Sequence, residues 1–219
     1  MGKKDNIRIP KQKRSKALTE HIIKTAMGLF AEKGYYSVTS HNIADAAEIS
    51  IGSFYSYFSD KKQVLLAVLS EYMEQVNQTL PKEDEVLAIG EVPTHDVLKK
   101  WIERILDAHR IKSGLDKQIT ILALDDPDVA EIMQKQEIKQ IHFIERLLQH
   151  YLKREYSATD IRAAAYVINN SIEKNIHSLA YSEPLVQEEN ILEALSDMIC
   201  HYISGLIGNF EKSVTYDGQ

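Results

Sequence analysis

The fold is decided by residues 39–61, which read TSHNIADAAEISIGSFYSYFSDK. Thr39 and Ser50 are residue types that favour the position before a helix begins. They therefore predict one short helix over about 39–47 and a second over about 50–58, with a tight turn between them. Two short helices in this arrangement, after a longer first helix, are typical of a helix-turn-helix.

The second short helix has an unusual outer face. Phe54 and Phe58 are four residues apart and can both face inward. The residues left outside are rich in hydroxyl groups and contain no acid: Ser50, Gly52, Ser53, Tyr55 and Tyr57. Such a face can donate hydrogen bonds to phosphates and reach base edges without repelling DNA. Gly52 costs roughly 1 kcal/mol of helix propensity relative to alanine, which a close approach to a DNA backbone would explain.

The rest of the chain also has helical spacing of apolar residues. A first helix runs from Leu18 to a glycine stop at Gly34, and Asp60 begins a longer helix after the helix-turn-helix. Residues 81–93 are acidic and contain a glycine, which predicts a loop. With only 9 glycines and 5 prolines in 219 residues, we predict an all-α protein of about nine helices with no strand.

Charge divides the chain into a basic head and an acidic body. Residues 1–62 hold 11 lysines and arginines against 6 acidic residues, a net charge of +5, whereas the remainder carries −11. Residues 1–16 alone carry +6, which fits either a solvated tail or an arm that follows DNA. We therefore predict a basic arm over 1–16, a DNA-binding domain over 17–62 and a larger helical domain over 63–219.

Leu18 to about Tyr72 resembles the DNA-binding region of the TetR/AcrR family of transcriptional regulators. The matching positions follow the segment Phe30 to Gly34 at fixed spacing: Thr39, Ile43, Ala44, Ala47, Ile49, Ser50, Gly52, Tyr55, Phe58 and Lys61. The sequence departs from the family at Glu48, where the turn usually has glycine. If that position needs a positive φ, glutamate carries a steric cost that glycine does not.

The resemblance implies two sets of DNA contacts and a mode of action. The base contacts would come from His41, Ile51, Gly52, Ser53 and Tyr55, and the phosphate contacts from Thr39, Ser40, Tyr57 and Lys61. The alternatives are a packing role for Tyr55 and a plain surface role for His41. The family further implies a homodimeric repressor that binds a pseudo-palindromic operator on double-stranded DNA and is released by a small-molecule effector.

The larger domain resembles the family's effector-binding and dimerisation domain. Broad apolar faces on its last two helices indicate dimerisation or core packing, through Ala164, Val167, Leu195, Ile199, Tyr202 and Leu206. A cavity that is mainly apolar with a few polar anchors would suit a ligand. Its candidate residues, each of which could instead belong to the core or surface, are Trp101, Ile105, His109, His142, Asn170, Glu173 and His177.

Enzymatic motifs are absent from the sequence, including HExxH, GxSxG, GxGxxG and the phosphate-binding loop. We therefore expect no enzymatic activity, no cofactor and no metal. The single cysteine, Cys200, cannot form an internal disulfide, and the apolar runs are far shorter than a membrane span. These features favour a cytoplasmic protein with no membrane partner. The alternative is a helical small-molecule receptor, or an enzyme-like domain, whose head does not read DNA.

Overall fold

The computed structural model describes residues 11–89, 92–111, 113–152 and 157–214. Within these ranges the regular elements are all α-helices, which confirms the all-α prediction. The ten helices are α1 (Lys11–Lys33), α2 (Ser40–Ala46), α3 (Ile51–Tyr55), α4 (Lys61–Thr79), α5 (Glu83–Leu87), α6 (His95–Ile111), α7 (Ser113–Leu122), α8 (Pro127–Leu152), α9 (Ala158–Tyr181) and α10 (Glu188–Val214). None of these described helices is both long enough and apolar enough to cross a bilayer.

Three local predictions were wrong. The segment 81–93 contains the short helix α5, whose first turn holds three acidic residues that the helix dipole stabilises. Helix α1 begins at Lys11, so residues 11–16 of the predicted arm are helical, and residues 1–10 of that arm lie outside the described residues. Helix α3 ends at Tyr55 instead of near 58, and the hydroxyl of Ser56 donates back to the carbonyl oxygen of Gly52 at 2.9 Å.

The chain forms two compact units whose boundaries differ from the predicted domains. The first unit comprises Met1–Tyr72 together with Gly114–Val129, and the second comprises Met73–Ser113 together with Ala130–Gln219. Helix α7 therefore belongs to the first unit, where it lies against α1. A Cβ at Gly114 would lie 2.6 Å from the carbonyl oxygen of Ala31, so only glycine permits this approach.

The first unit is built around aromatic and aliphatic side chains from five helices. Buried members are Ile22 and Phe30 of α1, Ile43 of α2, Phe54 of α3, Leu65 of α4 and Ile119 of α7. Burial of each such side chain contributes about 1.5–3 kcal/mol to stability. Because α2 and α3 each bury residues in this core, their outer faces are held in fixed orientations.

The second unit has its own core, made mainly by α6, α9 and α10. It includes Ile102, Leu106, Ile168, Ile176, Leu195 and Ile199. Apolar residues recur three or four positions apart on each of these helices, which is the spacing of a helix that buries one face. The opposite faces of α9 and α10 are exposed and are described below.

Candidate functional site

The helix-turn-helix begins at a capped helix. The backbone N–H of Asn42 donates to Oγ1 of Thr39 at 3.1 Å, and the N–H of Thr39 donates to Oδ1 of Asn42 at 2.9 Å. This reciprocal pair satisfies two donors and fixes the start of α2. Ser50 caps α3 with a single bond, because its Oγ accepts from the N–H of Ser53 at 3.0 Å. Both predicted caps are confirmed.

The turn between α2 and α3 passes through Glu48, whose φ is 55°. The N–H of Ile49 donates to the carbonyl oxygen of Ala44 at 3.0 Å, and the N–H of Glu48 donates to that of Asp45 at 3.1 Å. These two bonds form a Schellman motif, which glycine adopts more readily than other residues. The requirement for a positive φ at this position is therefore confirmed, and glutamate meets it at a steric cost.

The outer face of α3 is available for contact, as its sequence predicts. Phe54 is fully buried and Phe58 is 7% exposed, whereas Tyr55 is 51% exposed. The alternative that Tyr55 is a core packing residue is therefore not supported. A Cβ placed on Gly52 would meet nothing closer than Oγ of Ser50 at 4.0 Å, so no packing within the protein requires glycine there.

The remaining predicted DNA contacts lie around these helices with varied exposure. Thr39, His41 and Ser50 are exposed, and Ser40, Ile51, Ser53 and Tyr57 are half-buried. Hydroxyl groups predominate among them, and no acidic side chain is included. These residues therefore form a hydroxyl-rich surface without acidic groups, as the sequence predicts. Their contact with DNA remains a prediction.

Lys61 has a structural role that the sequence did not indicate. Its Nζ donates to the carbonyl oxygens of Tyr35 at 2.8 Å and Val38 at 2.7 Å. The ammonium also lies 4.0 Å from the centroid of the Tyr35 ring. Two of its three N–H donors are thus used inside the protein, which leaves one donor for the predicted phosphate contact.

The second unit contains a cavity of about 460 Å³, within the size range of sites for small organic ligands. Four of the predicted ligand residues line it: Trp101, Ile105, His109 and Glu173. Its walls are mostly aliphatic and aromatic, with α6, α8 and α9 supplying most of the lining side chains. A cavity between these helices is therefore present, as the sequence led us to expect.

The other three predicted ligand residues lie outside the lining. His142 is exposed on α8, where its Nε2 is 3.8 Å from Oε2 of Glu145. Asn170 is exposed, and its Nδ2 donates to the carbonyl oxygen of Tyr166 at 3.0 Å. His177 contacts two lining residues, Glu173 and His109, but does not itself line the cavity. Successive residues of a helix point in different directions, so Asn169 lines the cavity although its neighbour Asn170 does not.

Sequence reasoning missed the contribution of α8. This helix lines the cavity with Gln136, Gln140, Phe143, Leu147 and Tyr151. These residues are spaced three or four positions apart, so they form one stripe along the helix. That spacing is the signal in the sequence, and the mixture of polar and aromatic residues along the stripe obscures it.

Polar groups meet at one part of the cavity wall. Oε1 of Glu173 accepts from Nε2 of Gln140 at 2.9 Å, and Oε2 lies 3.4 Å from Nε2 of His177 and 3.8 Å from Nε2 of His109. Nδ1 of His109 donates to the carbonyl oxygen of Ile105 at 2.8 Å. Burial and, as a smaller contribution, the neighbouring His109 together lower the pKa of His177 to about 4. His177 is therefore neutral near pH 7.

The residues predicted for dimerisation divide into two groups. Ala164, Leu195 and Ile199 are buried in the chain's own core, so the core interpretation is correct for them. Val167 and Tyr202 are exposed, and Leu206 is half-buried. Two further large apolar residues, Tyr166 and Met198, are exposed on the same two helices.

Comparison with known proteins gives consistent results for the first unit. Residues 22–68 match the family model described as bacterial regulatory proteins of the tetR family. The HTH-type transcriptional regulator YerO of Bacillus subtilis is 35% identical over 57% of this chain and 40% of its own length. The HTH-type transcriptional regulator HbdR of Aromatoleum is 39% identical over 30% of this chain and 29% of its own length. The matched stretch thus spans less than half of these relatives.

Solved structures extend the likeness to the whole fold. A transcriptional regulator from Rhodococcus superposes with a TM-score of 0.67 at 17% identity, covering 85% of this chain and 96% of that one. A TetR/AcrR-family regulator from Aquifex aeolicus gives 0.61 at 16% identity, covering 84% and 99%. At such identities the likeness concerns the fold. The regulators matched by sequence are transcription factors, not enzymes.

Proposed function

We propose that this chain, whose residues 22–68 match the model of the tetR family of bacterial regulatory proteins, is a transcriptional repressor that binds operator DNA as a homodimer and is released by a small molecule. The observation that carries the proposal is the outer face of α3. It is exposed at Gly52 and Tyr55, it is free of acidic side chains, and it is held in place by the buried Phe54.

The recognition contacts follow from the chemistry of this face. Hydroxyls of Ser53 and Tyr55 can donate to or accept from base edges in the major groove, and Ile51 can contact a thymine methyl group. Gly52 allows the backbone of α3 to approach the DNA closely. His41 would add a further base contact from α2, and Ser50 can donate from the start of α3.

Phosphate contacts would fix the orientation of α3 in the groove. Thr39 and Ser40 lie at the start of α2, where backbone N–H groups favour an anion, and Tyr57 offers a hydroxyl. Lys61 would contribute its remaining donor. The basic residues of 1–16, of which 11–16 belong to α1, would add salt-dependent affinity through further phosphates.

Dimerisation would use the exposed faces of α9 and α10. Tyr166, Val167, Met198 and Tyr202 are each at least 40% exposed on these two helices. A two-fold axis through such a face would pair α9 and α10 with their counterparts. The two copies of α3 would then enter successive major grooves about 34–36 Å apart.

Release by a ligand would be transmitted along two helices. Helix α4 begins beside the helix-turn-helix at Lys61, and its later residue Val76 lines the cavity. Helix α8 begins near Asp126, which accepts from Lys62 at 3.0 Å, and its later residues line the cavity as well. The ligand would bind more tightly to a dimer in which the distance between the two DNA-binding units does not fit the operator. A coupling free energy of about 1–3 kcal/mol between the ligand site and the DNA site would weaken DNA affinity roughly 5–150-fold.

The DNA-binding part is tested with the purified full-length protein and labelled DNA from upstream of its own gene. Fluorescence anisotropy at several salt concentrations should show tight binding that scrambled DNA cannot displace. If that DNA fails, selection from random sequences should recover a pseudo-palindrome. If the selected DNA binds no more tightly than scrambled DNA, the proposal is contradicted. That result would favour a small-molecule receptor whose N-terminal unit does not recognise a DNA sequence.

The dimer is tested separately by analytical ultracentrifugation. A Val167→Glu and Tyr202→Glu double variant should be monomeric and helical, and it should lose cooperative operator binding. A matched control adds the same two negative charges at exposed neutral residues of α8, Gln134→Glu and Gln149→Glu. If the first variant remains dimeric, the interface lies on another face.

A further inference from the structure

The helix-turn-helix segment 39–61 has few side chains that can identify a purine base. Arginine and glutamine, which bind guanine and adenine through paired hydrogen bonds, are absent from this segment. It contains one asparagine, Asn42, and one lysine, Lys61, which are the other residue types that form such paired contacts. The structure describes every residue of the segment, including these two.

Both of these side chains use their hydrogen-bonding groups inside the protein. Oδ1 of Asn42 accepts from the backbone N–H of Thr39 at 2.9 Å and from Oγ1 of Thr39 at 2.8 Å. An asparagine that reads adenine needs this oxygen for the N6 amino group, and both of its lone pairs are already used. Nζ of Lys61 donates to two backbone carbonyls, so its remaining donor cannot make the paired contact with O6 and N7 of guanine.

The hydroxyl groups on this surface distinguish the bases poorly. A hydroxyl can donate or accept, so it can form a hydrogen bond with any of the four base pairs in the major groove. In addition, Oγ of Ser56 donates to the carbonyl oxygen of Gly52 at 2.9 Å, so that donor is not available to a base. The hydroxyls therefore contribute affinity more than sequence preference.

Ile51 and Tyr55 form an apolar strip on the outer face of α3. They are four residues apart, which places them on the same face of the helix. Ile51 is half-buried and Tyr55 is 51% exposed. The Tyr55 ring lies edge-to-face against the buried Phe54 ring, with the centroids 5.3 Å apart, and this contact restrains its position. Gly52, which follows Ile51, has no side chain to hold α3 away from the DNA.

Resting on the proposed function, we infer that α3 recognises its operator half-site through the 5-methyl group of thymine, with Ile51 as the specificity-determining residue. The thymine methyl is the apolar group that base pairs present in the major groove. It is therefore the base feature that an aliphatic side chain can distinguish. The competing reader is His41, which is exposed on α2 and can donate one hydrogen bond to N7 of guanine.

The test uses the full-length protein and the operator recovered by selection from random DNA. Each thymine of the half-sites is replaced in turn by deoxyuridine, which lacks the methyl group and keeps every hydrogen bond of the base pair. Fluorescence anisotropy should show a thymine position at which this replacement weakens binding about fourfold in one half-site and about fifteenfold in both, the value of one buried methyl per half-site. A parallel series replaces each guanine by 7-deazaguanine, which removes the N7 acceptor that His41 would use.

Protein variants connect the methyl effect to Ile51. Ile51→Ala should remove the difference between thymine and deoxyuridine at that position, whereas Ile51→Val, which keeps a branched apolar side chain, should retain most of it. The matched control is Ile121→Ala on α7, where the isoleucine is 47% exposed and lies outside the helix-turn-helix. It should distinguish the two bases as the unmodified protein does. Circular dichroism checks that all three variants keep their helicity.

The inference is overturned if no thymine position responds to deoxyuridine, or if Ile51→Ala responds as strongly as the unmodified protein. It is also overturned if 7-deazaguanine weakens binding more than deoxyuridine does, because His41 would then carry the specificity. In each of these cases the protein still binds a selected operator, so the proposed operator binding stands. If selection recovers no sequence that is preferred to scrambled DNA, the proposed function fails and this inference fails with it.

Discussion

The ammonium of Lys61 lies 4.0 Å from the centroid of the Tyr35 ring, and its Nζ donates to the Tyr35 carbonyl oxygen at 2.8 Å. A second bond of 2.7 Å reaches the carbonyl oxygen of Val38. One side chain at the start of α4 thus holds the segment between α1 and α2, directly before the cap residue Thr39. Burial lowers the pKa of this lysine, and the two carbonyls keep its charge solvated.

Lys61→Met should destabilise the protein because it leaves two backbone carbonyls without this donor. We expect a loss of roughly 1–3 kcal/mol, the usual cost of an unsatisfied acceptor, measured by urea denaturation. Lys24→Met, an exposed site on α1, is the control and should have little effect. Unchanged stability with a smaller salt slope of DNA binding would show that Lys61 acts mainly on phosphate.

Glu48→Gly should stabilise the turn and tighten DNA binding. A residue with φ of 55° is strained unless it is glycine, so the change should recover about 1 kcal/mol. It also removes a negative charge near the DNA. Glu48→Gln removes the charge and keeps the strain, so comparing the two by denaturation and anisotropy separates the effects. Weaker DNA binding by the glycine variant would contradict this account of the turn.

Features set by local chemistry could be predicted from the sequence. The caps at Thr39 and Ser50, the glycine stop at Gly34 and the inward Phe54 depend on neighbouring residues, so short windows of sequence contain the necessary information. The positive φ at Glu48 was raised only by the resemblance, because the family usually has glycine at that position, and the structure has it.

Features set by tertiary contact could not be predicted in the same way. The position of α7 depends on the approach of Gly114 to Ala31, which are 83 positions apart in the chain and share no local pattern. Asn170 and Asn169 are adjacent, and only helix rotation decides which one lines the cavity. Lys61 occupies the position that the resemblance assigns to a phosphate contact. Its two carbonyl partners, on Tyr35 and Val38, are apparent only in the folded unit.

Gly114→Ala should destabilise the first unit. The added Cβ would lie 2.6 Å from the carbonyl oxygen of Ala31, so α7 must shift away from α1. Overpacking of this kind costs about 1–3 kcal/mol. Gly28→Ala is a matched control on α1, where an added Cβ meets nothing within 4 Å. It should be neutral or stabilising by up to about 1 kcal/mol, and equal destabilisation of both variants in thermal melts would refute the steric explanation.

Gly52→Glu and Tyr55→Ala should both impair operator binding while the fold is retained. A side chain at Gly52 has open space, so the fold accepts glutamate, but its charge would face the phosphates. Tyr55 is half exposed, and its loss should weaken specific binding by about 1–3 kcal/mol, the value of one base contact. Anisotropy with operator and scrambled DNA measures the loss, and reduced helicity in either variant would instead mark the residue as structural.

The low pKa of His177 makes stability depend on pH in a defined window. Its pKa is about 4 in the folded chain, because of burial and the nearby His109, against about 6.5 when unfolded. Between these values the unfolded state binds more protons, so stability falls as pH decreases from about 6.5 to about 4 and levels off below. The ring is partly exposed, so the slope should stay below about 1.4 kcal/mol per pH unit. His177→Gln should flatten this part of the profile in denaturant titrations at stepped pH, whereas His142→Gln, at an exposed site, should not. If both variants keep the full slope, other groups control acid stability.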